Sequence, residues 1–180
     1  MNALRFIEHI RSQADYAGQV VHVEALPARR ARFAATAQPL PEAIMKALQS
    51  DGIEQLYTHQ AQAIDAARAG QNIIVVTGTA SGKTLCYNIP VLETLLQDNR
   101  SKALYLFPTK ALAQDQLRSL LRFKELDPSL KIQAGTYDGD TPAVTRRRLR
   151  EEGNCILTNP DMLHSGILPN YAAWAEFFSS

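Results

Sequence analysis

Cysteine is scarce: Cys86 and Cys155 are the only two in 180 residues. They fall in an expected helix and an expected strand with no ligand-like spacing, which excludes a disulfide framework and a zinc site and reads both as reduced core residues. No apolar run approaches the ~20 residues a membrane span needs. The stretch Met1-Asn2-Ala3-Leu4-Arg5-Phe6-Ile7-Glu8-His9 interrupts its apolar residues with charges, so no secretory signal is expected and a cytoplasmic location is the default. A charge excess of either sign is also lacking. Nineteen Lys and Arg against eighteen Asp and Glu leave a formal charge of +1, so affinity for nucleic acid must come from locally placed donors. Internal repeats and low-complexity tracts are absent. The composition, 46% hydrophobic and 21% charged, is that of a globular chain able to bury one complete core.

The richest stretch is Thr77-Gly78-Thr79-Ala80-Ser81-Gly82-Lys83-Thr84, preceded by Ile73-Ile74-Val75-Val76 and followed by Leu85-Cys86-Tyr87. An apolar strand, a small-residue loop and a helix in that order predict a phosphate cradle, in which loop amides and the positive helix end gather a polyphosphate. Lys83 adds a point charge at the outer phosphates, and Thr84 is placed to offer its hydroxyl to Mg2+. The implied ligand is magnesium ATP or a related triphosphate. The strict G-x-x-x-x-G-K-[ST] pattern fails at its first glycine, where Thr77 stands and Gly78 follows one place late.

Along the chain, Leu4, Ile7 and Ile10 have helical spacing, Val20 to Leu26 reads as extended, and Pro27-Ala28-Arg29-Arg30-Ala31-Arg32 reads as a basic connector. Residues 1–40 are therefore expected to form a helix and connector, and 41–180 the main domain. Pro41 suits a first helical position, with Ile44, Ala47 and Leu48 as the buried stripe of a helix ending near Gly52. Thr58 could cap a helix that stops at Gly70. After the loop come a helix to about Gln97, kinked at Pro90, and the strand Ala103–Phe107. Thr109 can cap the next helix, and Lys131–Gly135 reads as a weaker strand. A helix from Thr141-Pro142 to Gly153 and the strand Cys155–Thr158 follow. Asn159-Pro160-Asp161 starts another helix, and Tyr171, Trp174, Phe177 and Phe178 share one side of the tail. Strands alternating with helices imply an α/β fold with a mainly parallel sheet, covered on both faces, and a ligand site beyond the carboxyl strand ends.

Placed in this order, the residues from 41 to 168 resemble the first RecA-like lobe of a superfamily 2 DEAD/DEAH-box helicase, a three-layer phosphate-loop NTPase fold. In that family Thr77 to Thr84 corresponds to motif I, whose first position is often not glycine. The resemblance makes Gln60 an adenine reader, since a glutamine amide can pair with both N6 and N7 of adenine; on the residues alone it could equally be a solvated helical position. Phe107-Pro108-Thr109-Lys110-Ala111-Leu112-Ala113-Gln114-Asp115-Gln116 resembles motif Ia, with Thr109 and Lys110 on a nucleic-acid backbone. Pro-Thr also makes an ordinary helix cap. Tyr137-Asp138-Gly139-Asp140-Thr141 stands at the family's glycine-containing strand end, where Gly139 allows close backbone approach. Thr158-Asn159-Pro160-Asp161-Met162-Leu163 resembles motif Ib. Arg146, Arg147, Arg148 and Arg150, with Arg29, Arg30 and Arg32, either add electrostatic affinity or form solvated faces.

The wording of these motifs is most similar to MrfA-type DNA helicases, relatives of RecQ-like repair enzymes. That implies single-stranded or 3′-tailed DNA, 3′-to-5′ movement and a second lobe. In such enzymes a further strand ends in Asp-Glu-x-His. No such pair follows an apolar run up to Ser180, so the domain is expected to be incomplete at its C-terminus, able to bind nucleotide but short of hydrolysis, with a bare sheet edge. A stand-alone phosphate-loop kinase or NTPase and a non-enzymatic nucleic-acid-binding remnant are the alternatives.

Overall fold

The computed structural model describes residues 2–25, 27 and 30–179. Met1, Leu26, Ala28, Arg29 and Ser180 lie outside the described residues, and with them parts of the expected extended segment and basic connector. The chain divides into two units, Met1–Ala31 and Arg32–Ser180. Residues 32–39, expected to belong to the connector, are tied to the larger unit. Phe33 bridges Tyr57, the Thr58 amide donates to the Arg32 carbonyl at 2.9 Å, and the Arg68 guanidinium donates to the Gln38 carbonyl at 2.8 Å.

In the smaller unit, helix α1 (Ala3–Arg11) is capped by Asn2, whose side chain accepts from the Leu4 amide at 3.0 Å. None of its residues is buried. Among the described residues, 20–25 join no strand ladder, which leaves the extended reading of that stretch.

The larger unit is built from α2 (Glu42–Ser50), α3 (Thr58–Arg68), α4 (Thr84–Gln97), β1 (Ala103–Leu106), α5 (Lys110–Leu126), β2 (Ala134–Thr136), α6 (Ala143–Glu152) and β3 (Cys155–Thr158). A short helix α7 (Pro160–Met162), irregular helical turns to Trp174 and α8 (Ala175–Phe178) complete it. The three strands pair in parallel in the order β1-β3-β2, with Ala103 and Ala134 both opposite Cys155. Every residue of β3 is buried, and the pleat sends alternate side chains to opposite faces. Cys155 and Leu157 join Ile44, Leu48, Ile89, Leu92 and Leu120 in one core, whereas Ile156 packs with Tyr137, Leu149, Ile167, Trp174 and Phe177 in the other. A sheet with apolar layers on both faces is the expected three-layer α/β arrangement. Of the four tail aromatics Trp174 and Phe177 are buried, and Tyr171 and Phe178 are exposed.

Two strand boundaries depart from the sequence expectation for identifiable reasons. At residues 131–133 the buried Asn154 side chain substitutes for a neighbouring strand: its carbonyl accepts from the Gln133 amide at 2.8 Å and its amide donates to the Lys131 carbonyl at 2.7 Å. The ladder of β2 therefore begins only at Ala134. The larger correction concerns Ile73-Ile74-Val75-Val76, which is in no sheet. Its side chains still alternate, Ile73 and Val75 lining a cavity of about 420 Å³ with Ala67, Cys86 and Tyr87, while Ile74 and Val76 are 89% and 88% exposed. A strand is stabilised by its ladder and cross-strand neighbours, and among the described residues no strand pairs with this segment.

Helix ends follow the sequence closely. Thr109 caps α5 by accepting from the Leu112 amide at 3.2 Å, and Asn159 caps α7 by accepting from Met162 at 2.8 Å. Pro41 is a cap, not the first helical residue, and Tyr57 takes the cap position expected of Thr58. Helix α4 runs through Pro90, with the Thr94 hydroxyl donating to the Pro90 carbonyl at 3.0 Å.

Candidate nucleotide and nucleic-acid site

The loop from Thr77 to Lys83 folds around its own lysine. The Lys83 ammonium donates to the Gly78 carbonyl at 2.5 Å, the Thr77 carbonyl and hydroxyl at 3.2 Å each, and the Ser81 hydroxyl at 3.3 Å. The Thr77 and Ser81 hydroxyls are bonded to each other at 2.6 Å. Two residues take left-handed backbone angles, Ala80 at φ 54° and Gly82 at φ 75°. Glycine accepts this freely, whereas alanine is strained there. Space is also tight at Gly82, where a Cβ would lie 2.6 Å from the Gln60 amide nitrogen and would displace that side chain. Among the described residues the amides of Gly82, Lys83 and Thr84 donate to no protein acceptor, while the Leu85 amide already bonds the Gly82 carbonyl at 3.2 Å. Three free amides at the positive end of a 14-residue helix, beside an ammonium, suit a phosphate group. Of the expected ligand residues, Thr79 and Ala80 are on the exposed crest, and the structure gathers Thr77, Gly78, Ser81 and Lys83 in mutual contact.

Gln60 is brought to this loop, but in a role the sequence did not suggest. It is buried, its carbonyl accepts from the Tyr57 amide at 2.8 Å, and its amide donates to the Gly82 carbonyl at 2.9 Å. It thus braces the start of α3 against the loop. Beside it lies an aromatic stack that sequence reasoning missed. Phe33 and Tyr57 stack at 5.2 Å, Tyr57 and His59 at 5.7 Å, with planes within 13° and 11°. His59 Nε2 reaches the Ser81 carbonyl at 3.0 Å, so the stack touches the loop directly. The string Tyr57-Thr58-His59-Gln60 held the signal; Phe33 gave none, because its partner is distant in sequence.

Thr84 opens α4, and its hydroxyl donates to the Gln116 side-chain carbonyl of α5 at 3.3 Å. With its hydrogen directed there, the oxygen lone pairs remain for a hard cation, so the donor set suits Mg2+.

A second cluster lies at the carboxyl ends of the three strands. Lys110 and Asp140 are paired at 2.5 Å with both side chains exposed, and this bond holds the Asp140 carboxyl below the usual carboxylate range and raises the Lys110 ammonium. Gln114 donates to the Thr136 hydroxyl at 2.8 Å, joining α5 to β2. Arg146 donates to the Asp138 and Gly139 carbonyls at 2.7 and 2.9 Å and lies 5.6 Å from the Tyr137 ring centroid. It is a brace for that turn, not part of a solvated basic face; Arg147 pairs with Glu151 at 2.9 Å. Thr109, Lys110 and Gly139 are exposed on the rim and Asn159 is half-buried. A Cβ at Gly139 would meet only the Lys110 ammonium, at 3.9 Å, so no close approach within this chain demands glycine there. Thr158 is buried, and its hydroxyl donates to the Tyr137 carbonyl at 2.6 Å. It fixes the spacing of β3 and the 137–141 turn and presents nothing to a ligand. Gly135, which the sequence did not flag, is tightly packed, since a Cβ there would lie 2.6 Å from the Leu149 side chain.

A parallel α/β sheet with a lysine-bearing phosphate loop and a polar rim along neighbouring strand ends defines a nucleotide-dependent domain of the phosphate-loop class. The DEAD/DEAH box helicase family model matches residues 57–179, and the chain belongs to that family. It is 45% identical over 161 residues to YprA, an uncharacterized ATP-dependent helicase of Bacillus subtilis, covering 89% of this chain and 21% of that protein. It is 46% identical over 179 residues to the ATP-dependent helicase hrq1 of Schizosaccharomyces pombe, covering 97% and 17%. Crystal structures of the DUF1998 helicase MrfA superpose with TM-scores of 0.84 bound to DNA and 0.82 bound to DNA and AMPPNP. Both are at 42% identity over 99% of this chain, covering 25% and 24% of the MrfA chain. The fold is therefore the RecA-like α/β lobe of a helicase. The chain spans about a fifth of the length of the curated relatives it matches.

Proposed function

We propose that this chain is the ATP-binding lobe of a DNA helicase acting in repair, binding magnesium ATP at residues 77–84 and the phosphate backbone of single-stranded or 3′-tailed DNA along the rim of Thr109, Lys110, Gly139 and Asn159. The observation that carries it is the Lys83 ammonium held inside a loop whose Gly82, Lys83 and Thr84 amides are free among the described residues. The family match supports ATP use, and the likeness to MrfA bound to DNA supports the choice of nucleic acid. Lys83 and Thr84 are the proposed catalytic positions. When bound, magnesium would neutralise phosphate charge. This chain's residues orient the triphosphate through the loop amides, hold its outer charge with Lys83 and place the base beside Gln60 and the Tyr57 ring. Nucleotide binding is the step proposed for these residues; phosphoryl transfer also calls on carboxylates and a partner lobe to organise the attacking water. Among the described residues no cluster of three or more acidic, His or Cys side chains is placed to hold a metal. Unwinding belongs to the longer assembly with a second lobe. A cytoplasmic location is proposed with it; among the described residues no helix is long and apolar enough to cross a membrane.

Titration of a fluorescent ATP analogue into wild type and Lys83→Ala tests the reading. Loss of a charged donor should weaken binding by about 1.5–3 kcal/mol; equal affinities would refute the phosphate site. Gln60→Ala should weaken ATP and GTP together through the loop brace, with an added loss of ATP preference if the amide also reads the base. A variant that keeps the full preference removes the adenine role.

A further inference from the structure

Helix α5 supplies a contact to the nucleotide loop that its place on the rim does not explain. The Gln116 carbonyl accepts two hydroxyl hydrogens, from Thr84 at 3.3 Å and from Tyr87 at 2.7 Å. Tyr87 follows Thr84 by three residues on the same helical face, and its hydroxyl lies 3.5 Å from the Thr84 oxygen. The Tyr87 ring is fixed edge-on against Tyr105 at 5.9 Å, and the Tyr105 hydroxyl is anchored on Asn88 at 3.2 Å. Two hydroxyls of α4 thus converge on one side-chain oxygen of α5 at the edge of the cradle.

A threonine hydroxyl that lends a lone pair to a divalent cation must turn its hydrogen away from that cation, and the cation makes this hydrogen a stronger donor. It then needs an acceptor on the far side. A neutral amide carbonyl fulfils that need without adding charge, and a second donor from Tyr87 holds the carbonyl in place. This is the logic by which outer partners orient metal ligands, with effects typically of about 10–100-fold in metal affinity.

We propose that Gln116, steadied by Tyr87, is a positioning residue that accepts the Thr84 hydrogen and so aims the Thr84 oxygen at magnesium on the bound triphosphate. The proposal rests on the nucleotide-binding reading above and adds to it a residue from outside the loop. Gln116 lies six residues into α5 from Lys110, so the helix that offers Lys110 to the rim also sets the metal-facing hydroxyl.

The test compares affinity for the fluorescent ATP analogue in excess Mg2+ and in EDTA for wild type, Gln116→Met, Gln116→Glu, Thr84→Val and the Gln116→Met/Thr84→Val double variant. Gln116→Met should lose about tenfold of the magnesium-dependent gain, in line with outer-partner effects, and bind as wild type does, within about twofold, in EDTA. Gln116→Glu, which still accepts both hydrogens, should restore the gain. In the Thr84→Val background Gln116→Met should change nothing further, because the bond it removes is already absent. An unchanged magnesium gain in Gln116→Met overturns the proposal. So does an equal loss with and without magnesium, or a full additional loss in the double variant, since either marks a packing role alone. If Gln116→Met melts early, Gln116→Glu against Thr84→Val decides: a magnesium gain in the glutamate variant as low as in the valine variant also overturns it. Failure of the nucleotide reading itself shows separately, as equal binding by wild type and Lys83→Ala.

Discussion

Two apolar tetrapeptides of this chain, Ile73-Ile74-Val75-Val76 and Cys155-Ile156-Leu157-Thr158, have nearly the same local character and opposite fates. The second is the centre of a parallel sheet, paired on both sides and buried at every residue. The first is extended, unpaired among the described residues, and turns Ile74 and Val76 to solvent. β-propensity measures fit to a pleated, half-buried surface, and that surface is supplied by neighbours. What separates the segments is therefore ladder partners. The phosphate loop hangs from the unpaired one, so its position depends on α3 and α4 and on the Gln60 brace.

The sharpest way to break this comparison is to truncate one side chain in each segment. Ile156→Ala, in a fully buried site, should cost about 2–5 kcal/mol, whereas Ile74→Ala should stay within about 0.5 kcal/mol. Denaturant unfolding of the two variants measures both, and amide exchange should protect residues 155–158 and leave 73–76 open. Comparable losses would mean that residues 73–76 pair in solution. A smaller effect is expected at the brace that holds the helices flanking the unpaired segment. Arg68 of α3 donates to both Glu93 oxygens of α4, at 3.0 and 2.5 Å, with Glu93 buried. Arg68→Met leaves that carboxylate without its guanidinium and should cost about 1.5–3 kcal/mol. Because buried pairs are weakly screened, the loss should persist in high salt. A loss that vanished in salt would instead assign the pair to the surface.

The same contrast separates what was legible in the sequence from what was not. The Thr109 and Asn159 caps and the strand Cys155–Thr158 are local signals, read within a few residues, and each stands where it was expected. The missing ladder at 73–76 was not legible, since apolar periodicity reports what a segment could bury and not whether a partner reaches it. Nor were the bonds that assign roles. Gln60 occupied by Tyr57 and Gly82, Thr158 turned inward to Tyr137, Arg146 spent on two carbonyls and Phe33 stacked on Tyr57 all join residues that pattern reading treats separately. Asn154 shows the same limit within one strand, where a side chain displaces the ladder that the residues of 131–133 would otherwise form.

The smallest expected effect uses Cys155 as a reporter of how dry the paired segment is. Burial in β3 pushes its thiol up to about 12, well above the range of a thiol in the unfolded chain. Above about pH 9 the native state keeps a proton that the unfolded chain gives up, so the stability present at neutral pH is lost as pH rises from about 9 toward 12. The slope for one such proton is at most about 1.4 kcal/mol per pH unit. Tyr105 is raised by burial in the same sense, so wild type alone does not isolate the thiol. The difference between wild type and Cys155→Ala does: the variant should be less stable at pH 8 and lose less on going to pH 10, the two curves converging. If the curves ran parallel, the thiol would not be held protonated by its surroundings. The centre of the sheet would then be as open to water as residues 73–76, and the contrast between the two tetrapeptides would fail at its buried end.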